Sequence, residues 1–349
     1  MRRIDFHNLL LCGSAMALLA GCSQPMTPNE ATTPGSSPTG NLPPSSSDPV
    51  YSVGVSLSRP SVIVGTNGWG PTEVYHATDS GSAAPYASLE GCFPAMDGQG
   101  NVYMLAFYFP WGCGYFPSNI EVYSPDAVGG AGIRSLPVGP GTKITNVIDM
   151  AVSLSGEIFV NDGSGVAVFS ATANGSDAPV RYIQWNGGAQ SQATPGYIAV
   201  DGNDNLYVQN GGSIAVFGPN VTGLVVPSRV ISGPHTQLAG LSRMTTDIQG
   251  NLYVTTGGDA FGKAGVLEFA ADADGDAMPL RSISSKMSNF DGFLGVAVDS
   301  SGLIYIRTTD PYCGAVFVFA ADASGNTTPL RIIGGSCPGG DIDGTIAVF

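Results

Sequence analysis

The chain is poor in positive charge, in histidine and in charged residues altogether. Its 349 residues hold 13 Lys and Arg against 27 Asp and Glu, only 11% of residues are charged, and there are 3 His and 3 Trp. Each shortage excludes something. Few cations leave no basic patch for nucleic acid or for an anionic lipid surface, so no nucleic acid partner is expected. With His7 in the leader, the remaining His76 and His235 are too few for a three-histidine metal centre. No metal and no cofactor is therefore expected. After the first 21 residues no run is long and apolar enough for a transmembrane helix.

The N-terminus supplies the first positive signal. Arg2 and Arg3 precede the apolar run "LLLCGSAMALLAGC", which is too short to span a membrane as a mature helix. The run ends in "LAGC", Leu19 to Cys22. This resembles the lipobox of bacterial lipoproteins, and the resemblance implies that residues 1–21 are a signal peptide and that Cys22 is lipidated. Ser23 after the cysteine fits outer-membrane sorting, so a cell-envelope lipoprotein facing periplasm or cell surface is expected. Residues 22–49 are rich in Ser, Thr, Pro and Asn and read as a disordered tether spanning on the order of 30 Å. Loss of Arg2, Arg3 and Asp5 with the signal leaves 11 cations against 26 acids, a net charge of about −15.

The rest, 50–349, is periodic. A short strand ending in an aromatic recurs as "TEVY", "IEVY", "VAVF", "IAVF", "VLEF" and "VFVF", ending at Tyr75, Tyr123, Phe169, Phe217, Phe269 and Phe319. The steps are 48, 46, 48, 52 and 50 residues. A polar turn with Gly follows each, usually leading to Pro and, two places on, to Arg181, Arg229, Arg281 or Arg331. A second hairpin alternates with the first, as in "AVDGNDNLYV" and "TTDIQGNLYV", its turn expected to be capped by Asp.

Each unit thus carries four strands, a to d, every 45 to 50 residues, which is the spacing of a propeller blade. The fold class is all-β: six four-stranded blades. Blade 1 lacks strand a, and "GTIAVF" at the C-terminus reads as the missing strand that closes the ring. The phrases "IAVD..GNLYV" and "VF......P.R.I.G" resemble NHL-type six-bladed β-propellers over roughly residues 50–349.

The segment "FAADADGDAMPLRSIS" looks like a calcium loop because Asp272, Asp274 and Asp276 surround Gly275. Its cognates share the Gly but not the acids. A calcium loop also needs Gly at its sixth position and an acid at its twelfth, where Ala277 and Ile283 stand. The segment reads as the polar turn of a hairpin.

Strand direction places a–b and c–d turns on one face of the disc and b–c and d–a loops on the other, where related propellers usually bind. Cys92, Cys113, Cys313 and Cys337 all fall on the loop face. In an exported chain they are expected as the disulfides Cys92–Cys113 and Cys313–Cys337, each worth about 3 kcal/mol, rather than as free buried thiols. The same face carries aromatics, Trp69, Trp111 and Trp185 among them. These either seat a sugar or peptide or pack the loops together. On the inner strands Ala95, Ala151, Ala199, Thr245, Ala297 and Ala347 are small, as an axis crowded by six strands requires. Two residues earlier stand Phe93, Asp149, Tyr197, Arg243, Gly295 and Thr345. Asp149, Tyr197 and Arg243 are therefore candidate ligand-binding residues at the channel mouth, or else a buried ion pair plugging the ring.

The expected function is an envelope binding module for a glycan, peptide or protein partner. The alternatives are a lactonase- or lyase-like propeller enzyme acting at the channel mouth, and a scaffold in an envelope assembly. No nucleophile triad stands out and one acid, Asp149, is placed at the axis, so no catalytic residue is assigned.

Overall fold

In the computed structural model the described residues are 61–65, 72–89, 91–107, 117–126, 132–144, 146–185, 196–256, 265–285, 293–308, 315–334 and 345–348. All lie within one unit, Val50–Phe349. They form six sheets radiating from one axis.

Blade 1 holds β1 (Ser61–Val64), β2 (Thr72–His76) and β3 (Ala87–Leu89); blade 2 holds β4 (Cys92–Met96), β5 (Val102–Phe107), β6 (Pro117–Tyr123) and β7 (Arg134–Pro137). Blade 3 holds β8 (Asp149–Val152), β9 (Ile158–Asn161), β10 (Val166–Phe169) and β11 (Arg181–Trp185). Blade 4 holds β12 (Ile198–Val200), β13 (Leu206–Asn210), β14 (Ser213–Phe217) and, after the short β15 (Gly223–Val225), β16 (Arg229–Ile231). Blade 5 holds β17 (Leu241–Thr246), β18 (Leu252–Thr256), β19 (Gly265–Phe269) and β20 (Arg281–Ser285). Blade 6 holds β21 (Phe293–Val298), β22 (Ile304–Thr308), β23 (Val316–Phe319) and, after the short β24 (Gly325–Thr327), β25 (Arg331–Ile333). The last strand, β26 (Ile346–Val348), joins blade 1 as its inner strand, with Val62 opposite Val348 and Val64 opposite Ile346.

The core is divided into six seams, each packed by two neighbouring blades. Ile214 and Val216 of blade 4, for example, meet Leu252 and Phe269 of blade 5. Tyr103 and Ile120 of blade 2 meet Val160 and Phe169 of blade 3. Both faces of the middle strands are covered. This is why "VAVF" and "VFVF" are buried at every position and read as unbroken apolar runs instead of alternating ones.

The a–b turns behave as the sequence predicts. Asp97, Asp201, Asp247 and Asp299 each accept two backbone N–H bonds of their own turn. The c–d connections do more than turn. Those of blades 1, 3, 4, 5 and 6 reach over the outer strand of the preceding blade. β15 pairs in parallel with β11, β24 pairs with β20, and Gly81 and Gly275 form single bridges to Ile333 and Ile231. The glycine four residues before each proline is the one that docks: Gly81, Gly175, Gly223, Gly275 and Gly325 all have positive φ, between 55° and 76°. Asp274 accepts the Val230 N–H of the neighbouring blade as well as that of Gly275, so this acid of the calcium-like segment clasps two blades. The outer strands of blades 2 to 6, which would otherwise present open edges, are thereby covered.

The recurrent arginine of strand d spans the same seam. Arg229 donates to the carbonyls of Ala271 and Ala273, Arg281 to Ala323, Arg134 to Ala171 and Arg331 to Ala77. Arg134, Arg281 and Arg331 also donate to the hydroxyls of Tyr103, Tyr253 and Tyr305, which donate in turn to Asp97, Asp247 and Asp299. Blade 3 has Ser153 and Phe159 in place of the acid and the tyrosine, and there Arg181 pairs with Glu157.

Candidate functional site

The six small residues of the inner strands, Ala95, Ala151, Ala199, Thr245, Ala297 and Ala347, line an axial cavity of about 200 Å³. At its loop-face end the inner strands lose their regular register. β4 is irregular between Cys92 and Ala95, β17 between Leu241 and Met244, and β21 between Phe293 and Gly295. Such bulges re-aim side chains, and here the displaced residues include Phe93 and Arg243. Phe93 also has φ of 54°, in the left-handed region that a bulky residue rarely adopts. Pro94 in a strand is the sequence signal for this break.

The structure brings Asp149, Tyr197 and Arg243 together. Arg243 Nη1 donates to Asp149 Oδ1 at 2.7 Å, and the Ile198 N–H donates to Asp149 Oδ2 at 2.8 Å. The guanidinium carbon stands 3.9 Å from the centre of the Tyr197 ring and 5.1 Å from that of Phe93. Four consecutive blades, 2 to 5, thus converge on one cation. Blades 6 and 1 contribute Gly295 and Thr345 to the cavity lining at the same level. Both charged side chains are almost wholly buried, at 5% exposure for Asp149 and 8% for Arg243. Burial pushes the Asp149 carboxyl above its ordinary value, and the charge of Arg243 and the N–H bonds of Ile198 and Met150 oppose that rise.

Two polar residues escape the sequence reading. Asn161 donates to the Gly196 carbonyl, and Gln209 donates to the Leu241 carbonyl at 3.1 Å while its Oε1 accepts the Tyr197 N–H. They brace the first residues of the next inner strand and so hold Tyr197 and Arg243 in place. Their signal is a polar residue ending the apolar strand b, in "IFVN" and "LYVQN".

Trp185 does not line the cavity. Its ring lies 5.1 Å from Phe217 and packs into the seam between blades 3 and 4. Trp69, Trp111, Cys22, Cys113, Cys313 and Cys337 lie outside the described residues. Of the two histidines among the described residues, His76 stacks on Tyr86 at 4.3 Å, and His235 pairs with Asp276 across blades 4 and 5.

No family model matches the chain, and no curated protein matches it. Among solved structures it resembles a protein of unknown function from Bacteroides caccae, at 10% identity and a TM-score of 0.55, over 84% of this chain and 99% of that one. It also resembles a virginiamycin B lyase from Staphylococcus aureus, at 11% identity and a TM-score of 0.43, over 67% and 68% of the two chains. A protein from Lactobacillus plantarum matches at 13% identity and 0.46, over 78% and 82%. Likeness at these identities is likeness of fold: the chain is a six-bladed β-propeller.

Proposed function

We propose that the chain is a lipid-anchored envelope protein, an NHL-type propeller held through Cys22 and its tether, that binds a glycan, peptide or protein partner on its loop face rather than transforming it. The carrying observation is the state of Asp149. Both of its oxygens are engaged, one by Arg243 and one by the Ile198 N–H. These bonds hold Asp149 as the counter-ion of Arg243, and among the described residues lining the cavity no second acid and no histidine stands beside it to share acid–base work. Arg243, held between two rings beside a small cavity, is instead a pre-set recognition group.

Cys92 opens β4 on the loop face and is disulfide-bonded. This supports the pairing Cys92–Cys113 and, by the same placement in blade 6, Cys313–Cys337. Both bridges suit an oxidising envelope.

Two experiments test the reading. Metabolic labelling with a fatty-acid probe should mark the wild-type chain and not Cys22→Ser; equal labelling removes the anchor. The purified chain should retain defined members of a glycan or peptide array, with retention lost in Arg243→Met and Trp111→Ala. Turnover of an array member, or retention indifferent to both changes, overturns the binding site as drawn.

A further inference from the structure

Arg243 is only partly used by the protein. Among the described residues its guanidinium makes one hydrogen bond, from Nη1 to Asp149, although the side chain is more than nine-tenths buried and lines the axial cavity. Nε and Nη2 are strong donors with no acceptor among the described residues, and neither is among the fully buried unpartnered atoms, so both remain accessible from the cavity that the side chain lines. The planar fork is shaped to take two parallel bonds from one carboxylate, and Asp149 takes only one.

We infer that the axial mouth is a carboxylate subsite, in which a ligand carboxylate takes the Arg243 fork and Asp149 takes up one proton as it gives up the cation. This rests on the loop face being the binding face and names the ligand chemistry there. Charge dictates the exchange. Two carboxylates about one guanidinium would leave a buried negative charge unmatched, whereas one ionised and one protonated carboxyl leave the site neutral. The Asp149 carboxyl, raised by its burial, is the group suited to accept the proton. No rival proton acceptor faces it. On its own strand Met150 and Ala151 follow; β9 offers Asn161; β12 offers Tyr197 at its head; β17 offers Arg243; β4 offers Phe93. Tyr197 and Phe93 keep the guanidinium plane fixed while the partner changes. Gly295 and Thr345 present the smallest side chains at this level and line the same cavity as Arg243.

The test is isothermal titration of the full chain with benzoate, a free acid, and with N-acetylglycine, a mimic of a peptide end. Benzamide and N-acetylglycinamide serve as controls. The carboxylates should bind at least tenfold more tightly than their amides. Titrations in buffers of different ionisation heat should show uptake of about one proton per ligand wherever free Asp149 is ionised, with affinity rising about tenfold per unit fall in pH over that range. Binding of N-acetylglycine but not benzoate would mark chain ends as the source. Arg243→Met should abolish binding. Asp149→Asn, which keeps the shape of the site, should bind without proton uptake and without pH dependence. Equal affinity for acids and amides, binding without proton uptake, or no carboxylate binding by wild type or Asp149→Asn would overturn the subsite. An array ligand retained through Arg243-independent contacts would overturn it while leaving the binding reading intact.

Discussion

Ala347 pairs with Ile63 across nearly the whole length of the chain, and through that pair the last strand becomes the first blade's inner strand. The pairing removes the exposed edge of β1 and buries Ile346 and Ala347, each at 8% exposure. A chain ending at Gly344 should lose about 3 kcal/mol of unfolding free energy in urea from the lost apolar burial alone. The peptide GTIAVF added in trans should restore part of it. An unchanged midpoint would mean that the ring is closed by the seams without its last strand.

Breaking the Asp149–Arg243 pair should cost more than removing it. Arg243→Met leaves a buried carboxylate without its cation, and about 3 to 5 kcal/mol should be lost. The double variant Asp149→Asn, Arg243→Met should recover most of that loss. A double-mutant cycle by denaturant unfolding measures the coupling, and additive effects would show that the pair contributes little to the ring.

Alkaline pH should loosen the seams. Burial first, and then the nearby acids Asp97, Glu268 and Asp299, push the hydroxyls of Tyr103, Tyr253 and Tyr305 up to about 12. The folded value lies above the unfolded one of 10.0, so the stabilisation is complete below that value and is lost as pH rises from there toward 12. Stability followed against pH should fall through that window, and Tyr253→Phe should make the fall shallower. An identical alkaline slope in the variant would exclude Tyr253 as a contributor.

The clasp glycines offer a test of conformation without crowding. A Cβ at Gly275 would meet nothing within 4 Å, so only its φ of 60° opposes substitution. Gly275→Ala should cost about 1 kcal/mol, and Gly275→Asn less, since Asn tolerates the left-handed region better. A thermal shift larger for Asn than for Ala would count against the argument.

Much of this fold is legible in one dimension because a propeller repeats. The Gly four residues before the Pro, the Arg two after it in most units and the Asp of most a–b turns recur at set offsets, and they announce four strands per unit and six units. What those residues touch is not legible. The Gly reads as the residue of a local turn, yet it docks on the neighbouring blade, and the Arg reads as a feature of its own strand, yet it bonds the next blade's carbonyls. Periodicity reports what is local to each unit and is silent on the seam between units. Phe93 and Arg243 face the same limit, because the bulges that aim them depend on crowding at the axis.

The sequence by itself determined the blade count, the strand order within each blade and the closing role of Ile346–Val348, since all three follow from patterns that local backbone chemistry imposes. Tertiary structure alone decided that Asp149 meets Arg243, that Phe93 and Tyr197 flank the guanidinium, and that Trp185 turns into a seam. Residues 94 positions apart become neighbours only when six wedges share one axis. The space left there is set by the sum of all six inner strands, which no single repeat encodes.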